Sequence, residues 1–261
     1  YKQMHVFIIS LPFDMARRSE IGKKMNDLNI EYSFFDAVYG KDLTSEEKEK
    51  ISTVDFKKRS KNDPIDGEFG CTLSHIRLFE KMVHDEIKWA CVLEDDAIID
   101  ETFKDFISKV DETKLTDDTQ YILGGQDGLV YRNKVVLSHF ARELIGGEVF
   151  HKVISGHGYV LRSCGYLISL STASRLMKRF NEGFFIIDEW AYLMREGLFS
   201  NIYLADFVHH PEDLSNSWLD KERKENNKDK KVRKKKSYLR KKISSSYWIA
   251  RRYILGFCWW K

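Results

Sequence analysis

The 261-residue chain contains few residues of the kinds that mark a disulfide scaffold, a zinc site or a long linker. Its four cysteines, Cys71, Cys91, Cys164 and Cys258, lie among apolar neighbours, and no two are spaced as Cys-x-x-Cys. We therefore interpret them as buried free thiols rather than metal ligands. Proline occurs three times, which argues against long linkers in the main body.

A long apolar segment is also lacking. No run approaches the ~20 apolar residues that a membrane-spanning helix needs. The first ten residues, YKQMHVFIIS, carry too short an apolar run for a signal peptide and no small-residue cleavage site. These absences predict a cytoplasmic protein.

Positive charge is concentrated near the end of the chain. The net charge is +3, but residues 221–242 hold 13 Lys or Arg against 3 acids, so the other residues carry −7. Residues 243–261 add six aromatics with Arg251 and Arg252 among them. Basic residues beside aromatics fit an anchor on anionic lipid. We predict a domain over residues 1–220 and a membrane-associating tail over 221–261. One alternative is a tail that folds back onto the body. Another is a nucleic-acid-binding tail, although no recognition module is present.

Apolar runs alternate with segments of helical periodicity, a pattern typical of an α/β fold. Ile21, Met25 and Leu28 share one helical face, and Thr44 with Glu47 forms a capping box. The predicted strands are residues 4–11, 30–38, 90–93, 119–125, 163–169 and a run that begins at 201 and enters a His-rich loop. Unbroken apolar strands predict a mainly parallel central sheet flanked by helices.

Three adjacent carboxylates, Glu94, Asp95 and Asp96, follow the apolar run at residues 90–93. Ligands of open α/β sheets bind beyond the carboxyl ends of strands. Clustered carboxylates suit Mg²⁺ or Mn²⁺, which is often shared with substrate phosphates. The alternative is an acidic loop that caps a helix starting near Thr102, and the residues alone leave both interpretations open.

Two further polar pairs end apolar runs. Asp188 and Glu189 form a second acidic pair, and His209 and His210 follow the last strand. A histidine can complete a metal shell that carboxylates begin, although a histidine pair is also common at the surface or in the core.

Arg17 and Arg18 lie in the first turns of the first predicted helix. Arginine side chains and a helix N-terminus both favour phosphate, whereas a solvated surface pair is the simpler interpretation. Taken together, the polar groups describe a site for a metal–diphosphate complex with a spare carboxylate. A metal-dependent phosphohydrolase or nucleotidyltransferase would use the same acidic cluster.

Several segments in order resemble one known family. They are FIISL followed by RR, FFDAVYG (residues 34–40), GEFGCTLSHIRLFE (67–80), VLEDDAII (92–99), GYLIS (165–169), IIDEW (186–190) and the late VHH. Together they resemble the lipooligosaccharide glycosyltransferases of family 25, which also include the collagen galactosyltransferase domains. The resemblance implies a Rossmann-like GT-A fold and inverting transfer of a hexose, often galactose, from a UDP-sugar to a saccharide hydroxyl with a divalent metal.

The resemblance also implies metal-binding roles. Asp96 would be the direct ligand, Glu94 would act through water or the ribose, and Asp95 would orient the donor. His209 is the predicted last protein ligand, and His210 is its alternative.

Asp188 is the predicted general base, which would take the proton of the acceptor hydroxyl, and Glu189 is the runner-up. A helix N-cap is the structural alternative for Asp188. The family start usually carries Asn-Leu after its apolar strand, whereas this chain has Ser10 before Leu11. The predicted donor-binding residues are Ser10, Leu11, Arg17, Arg18, Asp36, Ala37, His75 and Asp95.

The implied partners follow from this activity. They are a UDP-hexose, a lipooligosaccharide acceptor and an anionic membrane surface, but no nucleic acid. The predicted location is the inner face of the bacterial inner membrane, where the protein would be peripheral.

Overall fold

The computed structural model describes residues 4–60, 63–213, 222 and 256–258. The strands are β1 His5–Ser10, β2 Ser33–Asp36, β3 Trp89–Glu94, β4 Thr119–Gly124, β5 Val136–Ile145, β6 Glu148–Ser155, β7 Gly165–Ser169, β8 Asn201–Val208 and β9 Gly256–Cys258. The helices are α1 Met15–Asp27, α2 Ser45–Glu49, α3 Val54–Ser60, α4 Asp66–His84, α5 Glu101–Lys109, α6 Leu170–Glu182 and α7 Trp190–Arg195.

All nine strands join one sheet in the order β2-β1-β3-β7-β4-β8-β6-β5-β9. The predicted α/β class with flanking helices is confirmed. Parallel pairing joins β1 to β2 and β3, and β4 to β8. The other pairings are antiparallel, so the sheet is mixed where the sequence predicts a mainly parallel one. The difference arises because β7 inserts antiparallel between β3 and β4, and because β5 and β6 form a hairpin.

The apolar sequence of β1 reflects burial on both faces of the sheet. Successive side chains of a strand point to opposite faces. Val6 and Ile8 pack in a cluster with residues of α1 and α5, whereas Phe7 and Ile9 pack in a second cluster with residues of α4 and α6. The same arrangement explains why β3 is apolar up to Glu94.

The β5–β6 hairpin turns at two glycines that the sequence patterns do not single out. Gly146 and Gly147 have φ angles of 58° and 92°, which glycine adopts without the steric cost of a Cβ atom. Phe140 and Leu144 on β5 are 87% and 70% exposed, so this hairpin lacks the strict burial that marks the central strands.

Two described pieces of the predicted tail contact the body. Glu222 accepts hydrogen bonds from the backbone N–H groups of Asp66 and Gly67, both at 3.0 Å. Residues 256–258 pair with β5 at the edge of the sheet. The division into a domain and a membrane tail stays a prediction, because most of residues 221–261 lie outside the described part of the chain.

Within the described residues, no helix combines the length and the apolar character needed to cross a membrane. Cys71, Cys91 and Cys164 form no disulfide, as predicted. Cys91 and Cys164 are buried, which raises the pKa of both thiols, whereas Cys71 is partly exposed. The side chain of Cys258 lies outside the described part of the structure.

Candidate functional site

The acidic cluster lies where three parallel strands end side by side. β1 runs parallel to β3 with Ile9 opposite Glu94, and parallel to β2 with Ser10 opposite Asp36. This register brings Ser10 to the cluster, where its hydroxyl donates a 2.7 Å hydrogen bond to Asp95. The cluster does not cap α5, because Asp100 is the residue that accepts hydrogen bonds from the first N–H groups of that helix. The capping alternative is therefore wrong.

Arg17 supplies positive charge to the adjacent carboxylates. Asp14 caps α1 and starts the helix so that Arg17 lies in its first turn. The Nη1 atom of Arg17 is 2.8 Å from Asp95 and 3.4 Å from Asp96. Half-buried ion pairs of this kind are stronger than those in open solvent. The guanidinium thus offsets part of the repulsion within the cluster.

Arg18 ties together the ends of β1 and β2. Its Nη2 atom lies 2.7 Å from the carbonyl oxygen of Ser10 and 2.5 Å from Asp36, and its Nε atom donates to the carbonyl oxygen of Leu11. Both arginines thus contact protein acceptors. Their contacts with phosphate stay predictions.

Ser163 and His75 contact Glu94. It accepts a hydrogen bond from the Ser163 hydroxyl, and His75 Nε2 lies 3.8 Å from the same carboxylate oxygen. Burial would raise the pKa of Glu94, but nearby His75 and Ser163 outweigh burial and keep it below its usual range. His75 Nδ1 shares a 2.6 Å hydrogen bond with the hydroxyl of Tyr166. His75 therefore makes a core hydrogen bond and also faces the site.

Asp96 is the least satisfied carboxylate of the cluster. Burial and the charge of Glu94 raise its pKa to about 6. Its Oδ1 atom is buried and has no hydrogen-bond partner among the described residues. Its Oδ2 atom is 3.7 Å from His210 Nε2, while His210 Nδ1 shares a 2.8 Å hydrogen bond with the carbonyl of Pro211. In the neutral imidazole, that bond leaves the lone pair of Nε2 facing Asp96.

His210 and Asp96 have the chemistry and spacing that a divalent cation requires. Two atoms that each ligate one cation at about 2.1 Å are at most ~4.2 Å apart, and the Oδ2–Nε2 distance is 3.7 Å. A buried carboxylate oxygen without a partner is a group that a cation would satisfy. The residues present therefore fit the metal that the sequence predicts.

His209 points to a different group of side chains. Its Nδ1 atom lies 3.4 Å from Asp127 and 3.8 Å from Asp206. These three residues could also hold an ion, as could Cys71 with His75 and Glu94. The structure thus brings the alternative His210, rather than the predicted His209, to Asp96.

A pocket of about 160 Å³ opens beside the cluster. Its lining gathers most of the predicted donor-binding and metal-binding residues, namely Ser10, Leu11, Arg17, Ala37, His75, Glu94, Asp95 and Asp96. Asp36 lies next to Ala37 at the end of β2, with 70% of its side chain exposed. The close fit of this region needs glycine, because a Cβ atom on Gly70 would lie 2.6 Å from the carbonyl oxygen of Val38.

Glu222 lines the same pocket and is a residue that sequence reasoning misses. Its carboxylate accepts the N–H groups of Asp66 and Gly67 in the first turn of α4, where a helix favours negative charge. The basic composition around Glu222 gives no signal of this contact.

Asp188 lies on a short loop that is linked to the acidic cluster through residues 162–163. The apolar run at residues 184–189 forms a loop before α7, and Asp188 accepts a 3.0 Å hydrogen bond from the Arg162 N–H. Arg162 has a φ angle of 66°, which is unfavourable for a residue with a Cβ atom. Its neighbour Ser163 binds Glu94, so residues 162–163 link the two acidic groups.

Glu189 makes different contacts from those of Asp188. It forms a 2.5 Å ion pair with Arg59 and accepts a 3.0 Å hydrogen bond from the Ile186 N–H. The Arg59 guanidinium in turn lies 3.6 Å from the ring centroid of Tyr192. Glu189, and not Asp188, is the N-cap residue of α7. The contacts favour Asp188 over Glu189 as the base but do not test that role.

A mixed α/β sheet with carboxylates and a facing histidine beyond the ends of parallel strands is typical of a broad class of ligand-binding α/β proteins. Comparison with known proteins narrows the class. The family model for glycosyltransferase family 25 (LPS biosynthesis protein) matches residues 3–191, so the chain belongs to this family.

Individual relatives agree with this family. A glycosyltransferase 25 family member of Aedes aegypti is 29% identical over 211 residues, which cover 79% of this chain and 32% of the relative. Procollagen galactosyltransferase 1-A of Xenopus laevis is 29% identical over 180 residues, 66% of this chain and 28% of the relative. Lipooligosaccharide biosynthesis protein lic2B of Haemophilus influenzae is 31% identical over 108 residues, 41% of this chain and 39% of the relative. The chain thus matches less than half the length of each of these three relatives.

Proposed function

We propose that this chain is an inverting glycosyltransferase that moves a hexose from a UDP-sugar to a hydroxyl of a lipooligosaccharide. Membership of family 25 supports sugar transfer. The observation that supports the site is the close pair of Asp96 and His210 beside a pocket at the ends of parallel strands. One buried oxygen of Asp96 has no hydrogen-bond partner among the described residues.

Asp96 and His210 would hold Mn²⁺ or Mg²⁺, which supplies positive charge where the diphosphate leaves. Asp95 would orient the donor while it anchors Arg17. Glu94, fixed by Ser163, would contact the donor through water or the ribose. Ser10, Leu11 and Ala37 line the pocket and would contact the nucleotide.

Asp188 would accept the proton of the attacking saccharide hydroxyl. The acceptor oxygen would form the new glycosidic bond at the anomeric carbon. The bond from that carbon to the UDP oxygen would break as UDP leaves on the opposite face of the sugar, and Asp188 would keep the proton. A positioned base of this kind typically contributes ~10²–10⁴-fold to the rate.

Galactose is the first donor sugar to test, because one relative is named a procollagen galactosyltransferase. The experiment incubates the protein and Mn²⁺ with UDP-galactose, UDP-glucose and their N-acetyl forms, with and without lipooligosaccharide, and measures UDP and glycosylated product. We expect product from one UDP-hexose only when acceptor is present. Release of UMP and hexose 1-phosphate without an acceptor would indicate a phosphohydrolase instead.

The two adjacent histidines should differ in their effect on metal binding. We expect His210→Ala to weaken Mn²⁺ binding by at least ~10-fold, since it removes a ligand, and His209→Ala to change it less than ~2-fold. Free Mn²⁺ measured by electron paramagnetic resonance during titration gives both affinities. A larger loss in His209→Ala would move the site to Asp127 and Asp206.

Association with the inner face of the bacterial inner membrane is part of the proposal. It rests on the basic and aromatic sequence of residues 221–261, most of which lie outside the described part of the structure. β9 belongs to the sheet, so deletion of the whole tail would remove a strand. Charge substitutions are therefore a cleaner test than truncation.

Triple replacement of Lys234–Lys236 by Gln should weaken binding to anionic vesicles on the order of 10²-fold, since each basic residue near such a surface contributes about 1 kcal/mol. Co-sedimentation with phosphatidylserine vesicles measures the binding. Replacement of Lys104, Lys109 and Lys114 on the body is the matched control. Equal binding by both triple variants would refute the role of the tail.

A further inference from the structure

Two loops next to Asp188 are fastened to each other by side-chain hydrogen bonds. Gln126, on the loop after β4, donates to the carbonyl of Leu161 and accepts its N–H at 3.0 Å. Arg162 donates to the carbonyl oxygens of Gly125 and Asp127 at 2.9 Å and 2.6 Å. The backbone of both loops is thus fixed before any ligand binds.

These loops carry two aromatic side chains, Tyr131 at the surface and Tyr159, which is partly buried against the core. The ring centroids of Tyr131 and Tyr159 are 5.8 Å apart, and the Lys134 ammonium lies 4.2 Å and 5.0 Å from them. Tyr131 remains 55% exposed in spite of these contacts. Val130 and Leu161 beside them are 81% and 39% exposed. Exposed apolar groups that cluster in this way often mark a binding surface.

The aromatic pair adjoins both halves of the candidate site. Tyr159 lies three positions before Arg162, and the Arg162 N–H donates a hydrogen bond to Asp188. The loop that carries Tyr131 also holds Asp127, which accepts the N–H of His210 at 2.9 Å. The two tyrosines therefore belong to the same loops that contact the candidate base and the candidate metal ligand.

We infer that Tyr131 and Tyr159 form the platform on which the acceptor saccharide stacks, an inference that rests on the proposed function. The axial C–H groups of a pyranose make an apolar face that packs on the electron-rich face of an aromatic ring. Tyrosine gives this contact area with few rotatable bonds and keeps a hydroxyl for hydrogen bonding. Because the loops are braced by Gln126 and Arg162, the platform needs little ordering when the saccharide binds.

The variants Tyr131→Ala and Tyr159→Ala test this platform. The probe is the oligosaccharide that mild acid releases from lipooligosaccharide, used with the UDP-sugar that the donor screen selects. We expect each variant to raise the KM for this acceptor by about 10-fold, while the KM for the donor and the slow release of UDP in water stay unchanged. Tyr131→Phe keeps the ring and should change the acceptor KM less than ~3-fold.

Phe140→Ala is the matched control, because it removes an exposed aromatic ring from β5. An unchanged acceptor KM in both tyrosine variants, with an active wild type, would overturn the platform and leave the proposed function standing. A wild type that transfers no sugar to any saccharide would refute the proposed function and the platform with it. A variant that is less stable but still folded should release UDP in water at the wild-type rate. This measurement separates a loss of stability from a loss of acceptor binding.

Discussion

Replacement of Asp96 by Asn is expected to reduce sugar transfer by at least ~10²-fold while the fold persists. Asn is nearly the same size but carries no negative charge, so it is a poor ligand for Mn²⁺ or Mg²⁺. The wild type should lose activity in EDTA and regain it with Mn²⁺, whereas Asp96→Asn should stay inactive in both. Initial rates of UDP release with acceptor measure the effect.

The same substitution should stabilise the protein in the absence of metal. The pKa of Asp96 is raised to about 6 in the fold, above the ordinary value of 3.8. Between these values the native state holds a proton that the unfolded chain has released, so stability falls as pH rises through this window. Above pH 6 the native protein carries an unfavourable buried charge that Asn removes.

Thermal denaturation at pH 7.5 in EDTA should therefore give a higher Tm for Asp96→Asn than for the wild type. The difference should vanish below about pH 4, where both states of the wild type are protonated. Adding Mn²⁺ should raise the Tm of the wild type but not of the variant. A variant that is less stable than the wild type in EDTA would contradict the raised pKa of Asp96. A variant that responds to Mn²⁺ as the wild type does would contradict the metal role of Asp96.

Replacement of Asp188 by Asn should lower kcat by ~10²–10⁴-fold and leave the KM for the donor nearly unchanged. The amide oxygen of Asn can still accept the Arg162 N–H, so the loop keeps its geometry. Asn cannot take a proton from the acceptor hydroxyl. Normal turnover would show that Asp188 serves only to hold Arg162.

Glu189→Gln is the matched control for this substitution. Gln keeps an oxygen that can accept the Ile186 N–H but loses the ion pair with Arg59. We expect a lower Tm and a kcat within a few-fold of the wild type. An inactive Glu189→Gln beside an active Asp188→Asn would assign the base to Glu189.

Local elements are the part of this fold that the sequence predicts well. β1 and β3 are continuous apolar runs because helices cover both faces of the sheet. Such runs can be recognised from the sequence alone. The capping box of Thr44 and Glu47 is present at α2 as predicted, since it involves residues three positions apart. β2 is shorter than its predicted range of residues 30–38, because strand ends depend on neighbouring strands.

Strand order and the contacts of the tail are not predicted, because they join residues far apart in sequence. Nothing in the pattern of residues 165–169 tells that β7 runs antiparallel between β3 and β4. The pairing of β9 with β5 and the contact of Glu222 with α4 likewise bridge more than 100 residues.

The candidate site shows the same limit at the scale of single side chains. Because Glu94–Asp96 follow an apolar strand, the sequence predicts that they lie at the edge of the sheet where ligands bind. Successive side chains of an extended segment point in opposite directions, so His209 and His210 face different groups, and the sequence does not tell which one faces Asp96. The arginines illustrate a related limit, since their charge predicts an anionic partner but not whether that partner is phosphate or Asp95.

The most direct test of a metal–diphosphate site is the dependence of UDP binding on the cation. Isothermal titration of UDP into the wild type should give an affinity in Mn²⁺ at least ~10-fold higher than in EDTA. Asp96→Asn should bind UDP with the weak affinity in both conditions. Equal UDP affinity of the wild type in Mn²⁺ and in EDTA, or an unchanged Mn²⁺ effect in Asp96→Asn, would contradict the proposed site.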